Sequence, residues 1–179
     1  MIKKPEYRPH SITYKRIFLL EGLPAPLVRT DEHWQIFDDY TAWPEFRMRQ
    51  IRVPQTKEWF RAREEIIVSE SEAGFKEETS RTLLPGDADI HAVHPDKEIR
   101  KNRYFYELSG TELAVDVFLG NLWGLILAQA ELTNEQEAGS FSTPEFSVTD
   151  VSGSGFFRGE NLVQTSFAEV TAEFSRLKS

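Results

Sequence analysis

The chain has 179 residues, no cysteine and a formal net charge of −8, with 40% hydrophobic and 28% charged residues and 13 Phe. That is one soluble, globular domain with a real core, too short for two comfortable ones. Without cysteine there are no disulfides, no thiolate catalysis and no Cys-bound zinc or iron–sulfur site, and the acidic balance argues against a general nucleic-acid coat, so any polyanion site must be local. Neither an apolar run of about 18 residues nor a signal-like start is present, so neither a membrane span nor secretion is expected and a cytoplasmic location follows by default.

Taken in chain order, alternating segments predict strands near 12–20, 35–40, 45–53, 58–68, 75–83, 99–108, 112–119 and 123–132. Turn-rich stretches separate them: "LEGLPAPLVR", "LPGDADIHAVHPDKE" and "SFSTPEFSVTDVSGSG". The regular spacing favours an antiparallel sheet or barrel. "TNEQEA" reads as a short helix, with Thr133 and Gln136 at capping-box spacing. Val163, Phe167, Val170, Phe174 and Leu177 recur at helical intervals, so an amphipathic helix over about 160–177 should lay an apolar stripe on the sheet.

The strands share a feature. In "EFRMRQ", Arg47 and Arg49 leave one face and Phe46 and Met48 the other. "WFRAR" repeats the arrangement with Arg61 and Arg63 against Phe60 and Ala62, and "RKNRYFY" with Lys101 and Arg103 against Asn102 and Tyr104. Lys15 shares its face with Thr13 and Ile17, and acids stand at Glu78, Asp116 and Glu131, the last beside Gln129 on its face. Any single pair reads as a solvated sheet face. Three strands repeating it suggest a closed sheet whose charged faces line a lumen, with the apolar faces covered by helices from outside. Such a ring of cations needs a polyanion or counter-carboxylates, and phosphate matches the planar donor fork of arginine.

The order of these segments resembles the CYTH superfamily, the triphosphate tunnel proteins that include class IV adenylyl cyclases, thiamine triphosphatases and inorganic triphosphatases. The resemblance covers about 11–162 and rests on "SITYKRIFLLEG", "FRMRQ", "RKNRYFY" and "AVDVFLGNLWGLILAQAEL". It implies a single α+β, mainly β domain: a closed eight-stranded antiparallel barrel with a basic lumen and a few flanking helices. It further implies a small polyanionic ligand, triphosphate or a nucleotide, held by Arg47, Arg49, Lys101 and Arg103, with Arg63 as a further contact. Mg or Mn, in an active member, would be held by Asp116, Glu131 and Glu78 and would orient attack at phosphorus. No catalytic base is assigned.

The departures from the family are specific. Its opening E-x-E-x-K reads Thr13, Tyr14, Lys15, Arg16, Ile17 in this chain, Ala114 precedes Asp116 where a second acid is usual, Ser80 stands where an acid would follow Glu78, and Gln129 precedes Glu131. Lys15 still points inward and keeps a phosphate contact, but it takes the place of a glutamate on the metal side. This favours holding an anion over activating a nucleophile. Three readings follow: a metal-dependent triphosphatase, a polyanion-binding pseudoenzyme, and a structural or interaction protein whose inner charges are met by its own acids. Cyclase activity has the least support.

Other signals read blandly. His91 and His94 read as solvated loop residues, "SGSG" at 152–155 as a turn or lid segment, Arg158 as a surface cation with closure over a ligand as the alternative, and the four Trp as core or rim. There is no P-loop and no nucleophile elbow.

Overall fold

Strong alternation builds long strands, and the strands pair in an order that closes on itself. The computed structural model describes residues 1–85 and 95–179, so His91 and His94 lie outside the described residues. Among the described residues nine strands form: β1 (His10–Leu20), β2 (Trp34–Asp39), β3 (Arg47–Val53), β4 (Glu58–Glu70), β5 (Phe75–Leu84), β6 (Glu98–Leu108), β7 (Thr111–Phe118), β8 (Ile126–Leu132) and β9 (Ser147–Asp150). The first eight are those expected from the alternation; the ninth was not.

The sheet order is β5-β4-β3-β2-β6-β7-β8-β1, and β5 pairs again with β1, which closes an eight-stranded antiparallel barrel. β1 is the closing strand. Its first half, His10–Lys15, pairs with β5, while Phe18–Leu20 pair with β9, and Tyr14–Leu20 pair with β8 on the other side. The β6–β7 hairpin turns on Ser109 and Gly110, both with positive φ (49° and 85°), the geometry whose twist matches the flanking strands.

The inward face is layered. At one end Trp34, Ile36, Ile51 and Val53 pack with Phe60 and Phe105. The N-terminal segment crosses that end: Ile2 joins the cluster, and the Trp34 indole donates to the Lys3 carbonyl at 2.8 Å. At the other end Ile17, Leu19, Phe75, Ile99, Phe118 and Leu127 pack with Leu122, Leu125, Phe157, Leu162 and Val170. Charged side chains occupy the level between.

Helices are few among the described residues: α1 (Glu135–Ser140), α2 (Gly159–Leu162) and α3 (Phe167–Lys178). α1 is capped one residue later than expected, by Asn134, whose side chain accepts from the Glu137 amide at 2.8 Å. The helix expected over 160–177 is two pieces. Ser166 and Glu169 form a capping box that starts α3 afresh, and α3 lays Val170 over the end of the barrel, not along the sheet, with Phe167 53% exposed. The outer apolar side chains Phe18, Leu20, Tyr104, Val115 and Val117 are covered mainly by loop residues, Leu23, Leu27, Phe141 and Phe146, where helices were expected. No described helix is long and apolar enough to cross a membrane.

Candidate functional site

Midway along the barrel each of its eight strands contributes an inward ionised side chain, and the pairing register sets which ones meet. Arg49 of β3 lies opposite Asp38 of β2, and its guanidinium grips that carboxylate with two bonds of 2.7 Å. Arg103 of β6 lies opposite Asp116 of β7 and does the same at 2.7 and 2.8 Å. Glu64 of β4 takes Arg47 on one oxygen, at 2.7 Å from Nη2, and Arg81 on the other, also at 2.7 Å. Lys101 stands 2.9 Å from Asp116. Lys15 is held between Glu77 at 2.9 Å and the half-exposed Glu131 at 3.4 Å.

The belt thus sets six cations (Lys15, Arg47, Arg49, Arg81, Lys101, Arg103) against five carboxylates (Asp38, Glu64, Glu77, Asp116, Glu131). Nearly all are deeply buried, with Glu64 1% and Asp38 2% exposed at the side chain. Buried charges persist only when paired and hydrogen-bonded. Here the chain supplies the partners itself, leaving an excess of one positive charge.

The titration of each group follows. Burial pushes the Asp38 carboxyl up, but Arg49 and Arg47 together hold it well below the usual range, and Asp116 is held down in the same way by Arg103 and Lys101. Glu64, against Arg47 and Arg49, and Glu77, against Lys15 and Arg47, are drawn to about 2 despite their burial. Lys101 goes the other way: burial depresses its ammonium to about 8, and Asp116 opposes this only in part. Burial raises the Tyr40 phenol to about 12.

The belt opens into about 80 Å³ of free space, room for about two or three waters at roughly 30 Å³ each. Its rim is Tyr40, Trp43 and the segment 157–160 that leads into α2. Gly159 lies so close to Tyr40 that a Cβ there would sit 1.9 Å from the phenol oxygen, so any side chain would have to displace the buried Tyr40 ring. Arg158 crosses the rim over the Phe75 ring, 4.8 Å from its centroid, and bonds Glu70 at 3.0 Å; it is no bare surface cation.

Of the residues named from sequence, Lys15, Arg47, Arg49, Lys101, Arg103, Asp116 and Glu131 all line this one cavity. Two do not. Arg63 points outward, 45% exposed, stacked on Phe46 at 4.0 Å and 3.6 Å from Glu65. Glu78 also points outward, 3.5 Å from His10. The reason is parity: β4 turns Glu64, not Arg63, inward, and β5 turns Glu77 and Arg81 inward. Asp38, Glu64, Glu77 and Arg81 were missed. A signal existed in "FKEETSR", where Phe75 shares its face with Glu77 and marks that face as the buried one.

A divalent ion needs open carboxylate oxygens. Asp116 spends both of its oxygens on Arg103 and Lys101, and an ammonium already sits between Glu77 and Glu131. Among the described residues no group of three or more His, Asp or Glu is disposed to hold a metal. This donor arrangement does not fit Mg or Mn.

Comparison with known proteins places the fold. No family model and no curated protein matches the chain. Two crystal structures of the protein NE1496, one described as an inorganic triphosphatase, align with a TM-score of 0.57. They are 19% and 18% identical and cover 86% of this chain and 95% and 99% of theirs. A conserved hypothetical protein from Pyrococcus furiosus aligns at 0.45, 17% identical, over 72% of this chain and 83% of its own. At the NE1496 identities the likeness establishes a shared fold, the closed tunnel that the resemblance to the CYTH superfamily implies.

Proposed function

We propose that the protein holds a small phosphate-rich anion, of the triphosphate or nucleotide class, in the belt of its tunnel, and that it does so without a metal and without turnover. The observation that carries this is the convergence of Lys15, Arg47, Arg49, Arg81, Lys101 and Arg103 on one enclosed space. Arg49 and Arg103 present two-pronged donors, now closed on Asp38 and Asp116. Phosphate oxygens offer those donors the same geometry. Binding is then an exchange in which the anion takes over contacts that the chain's own carboxylates make in its absence. The described activity of NE1496 supports the substrate class.

Lys15 argues against turnover. Its ammonium sits between Glu77 and Glu131, where a divalent ion would need open carboxylate oxygens, and leaves Mg or Mn no seat from which to orient attack at phosphorus. The charge match of the belt favours a second reading, a self-neutralised scaffold that binds nothing inside.

Thermal melting with tripolyphosphate and ATP, in chelator and in Mg or Mn, with phosphate release followed in parallel, separates these readings. The proposed binder is stabilised by tripolyphosphate in chelator and releases no phosphate. Metal-dependent release that disappears in Glu131→Gln identifies a hydrolase instead. A melting temperature unmoved by any anion identifies the scaffold.

A further inference from the structure

The rim of the tunnel carries a cation that the pairing within the belt leaves out. Arg158 lies between β9 and α2 and lines the same cavity as the belt. Its guanidinium lies over the Phe75 ring, 4.8 Å from the centroid. Phe75 stands opposite Lys15 in the β1–β5 register and two residues before Glu77 on the same inward face. Arg158 is therefore one step nearer the rim than the Lys15–Glu77 pair, about 7 Å along the strand.

That side chain is under-used where it stands. Of the donors a guanidinium carries, the one hydrogen bond formed among the described residues is from Nη2 to Glu70 at 3.0 Å. Nε is shut away from solvent without an acceptor, a costly state for a cation that is only 15% exposed at the side chain. Glu70 is 74% exposed, so this pair is a screened surface contact that stabilises little. Arg47, Arg49 and Arg103, by contrast, close on carboxylates that are 5% exposed or less. Beside Arg158, Gly159 packs on Tyr40, whose phenol oxygen is 3.4 Å from Arg47 Nη1, so the segment that carries the arginine rests directly on the belt.

Taking the belt as the anion site proposed above, we infer that Arg158 sets the length of anion the tunnel prefers. A chain of three phosphates that fills the belt extends its last group toward the rim and draws the guanidinium off Glu70, whereas an anion that ends within the belt leaves it in place. The exchange costs little, because Glu70 is already largely in water and stays solvated when released. It gains more, because the guanidinium turns as one planar fork, Nε included, and phosphate oxygens supply the acceptors it lacks. Glu70 is thus a competitor for the arginine, a latch that holds it at the rim.

Calorimetric titrations of tripolyphosphate and pyrophosphate, in chelator and at constant ionic strength, test this in wild type, Arg158→Gln and Glu70→Gln. Wild type is expected to prefer tripolyphosphate. Arg158→Gln should lose about tenfold or more for tripolyphosphate and less than about threefold for pyrophosphate. Glu70→Gln, which unlatches the arginine without touching the belt, should bind tripolyphosphate about two- to fivefold more tightly, an effect that disappears in the double variant. A role confined to packing would move neither the ratio of the two anions nor the Glu70→Gln affinity. Arg158→Gln binding tripolyphosphate as wild type does, equal losses for both anions, or Glu70→Gln binding no more tightly than wild type overturns the inference while leaving the belt an anion site. No binding of either anion by wild type removes both.

Discussion

The belt and the apolar layers that sandwich it occupy the same inward face of the same strands, yet they are held by different physics. β3 makes the contrast within four alternate residues: Arg47 and Arg49 belong to the belt, Ile51 and Val53 to the apolar end. The apolar layers are stabilised by area removed from water and tolerate shape-conserving change. The belt is stabilised only by mutual pairing, so a single deletion strands a buried charge. A barrel that needed only a core would fill all levels as it fills the ends; retaining a costly charged level in the middle points to a use for it.

The largest effect expected is at Glu64, which serves both Arg47 and Arg81. Glu64→Gln should destabilise by about 3–5 kcal/mol in chemical denaturation, whereas Ile51→Val in the apolar layer should cost about 0.5–1.5 kcal/mol. Tripolyphosphate should stabilise Ile51→Val by the same increment as wild type and Glu64→Gln by a larger one, which narrows its gap to wild type. Equal increments in both variants would erase the distinction.

Acid probes the same contrast without mutation. Glu64 and Glu77 titrate near 2 in the folded chain against 4.5 ordinarily, so the folded state binds fewer protons between those values. Their contribution is complete above about pH 4.5 and is lost as pH falls toward 2, a few kcal/mol for each group. Lys101 gives a slope of the same sign in a different window: with its pKa lowered to about 8, its burial penalty is present below pH 8 and is relieved as pH rises toward 10.5, so stability again rises with pH. Melting temperatures across both windows check the two slopes.

A subtler expectation concerns Lys15. Lys15→Glu would set a third carboxylate beside Glu77 and Glu131 and remove the ammonium between them. Mn should then raise the melting temperature of the variant, by about 2.7 kcal/mol of apparent stability at a hundredfold excess over Kd, while leaving wild type unmoved. A wild-type response to Mn would contradict the account of Lys15 as the occupant of the cation position.

Eight strands were legible because alternation and turn residues are local signals. β9 was not, since its four residues sit in a Ser- and Pro-rich stretch and exist only because β1 offers an edge above its pairing with β5. The belt was half legible. Taking the Arg-bearing face as the lumen succeeded on β3 and β6, where the inward residues are basic at mid-height. It failed on β4, whose inward face reads Phe60, Ala62, Glu64, Ile66, Val68, because that strand contributes a single carboxylate to the belt and apolar residues to the layers on either side. Which face is inward is settled by closure of the whole sheet, and closure is not a local property.

The most direct test of anion exchange is calorimetric titration of tripolyphosphate, in chelator, into wild type and Asp38→Asn. Asp38 is the carboxylate on which Arg49 closes, with Arg47 at 3.9 Å and Lys101 at 4.0 Å. If the anion takes over contacts now made by internal acids, wild type binds and Asp38→Asn binds about tenfold more tightly or better. Absence of binding by both proteins, with Asp38→Asn still folded, would contradict the central claim.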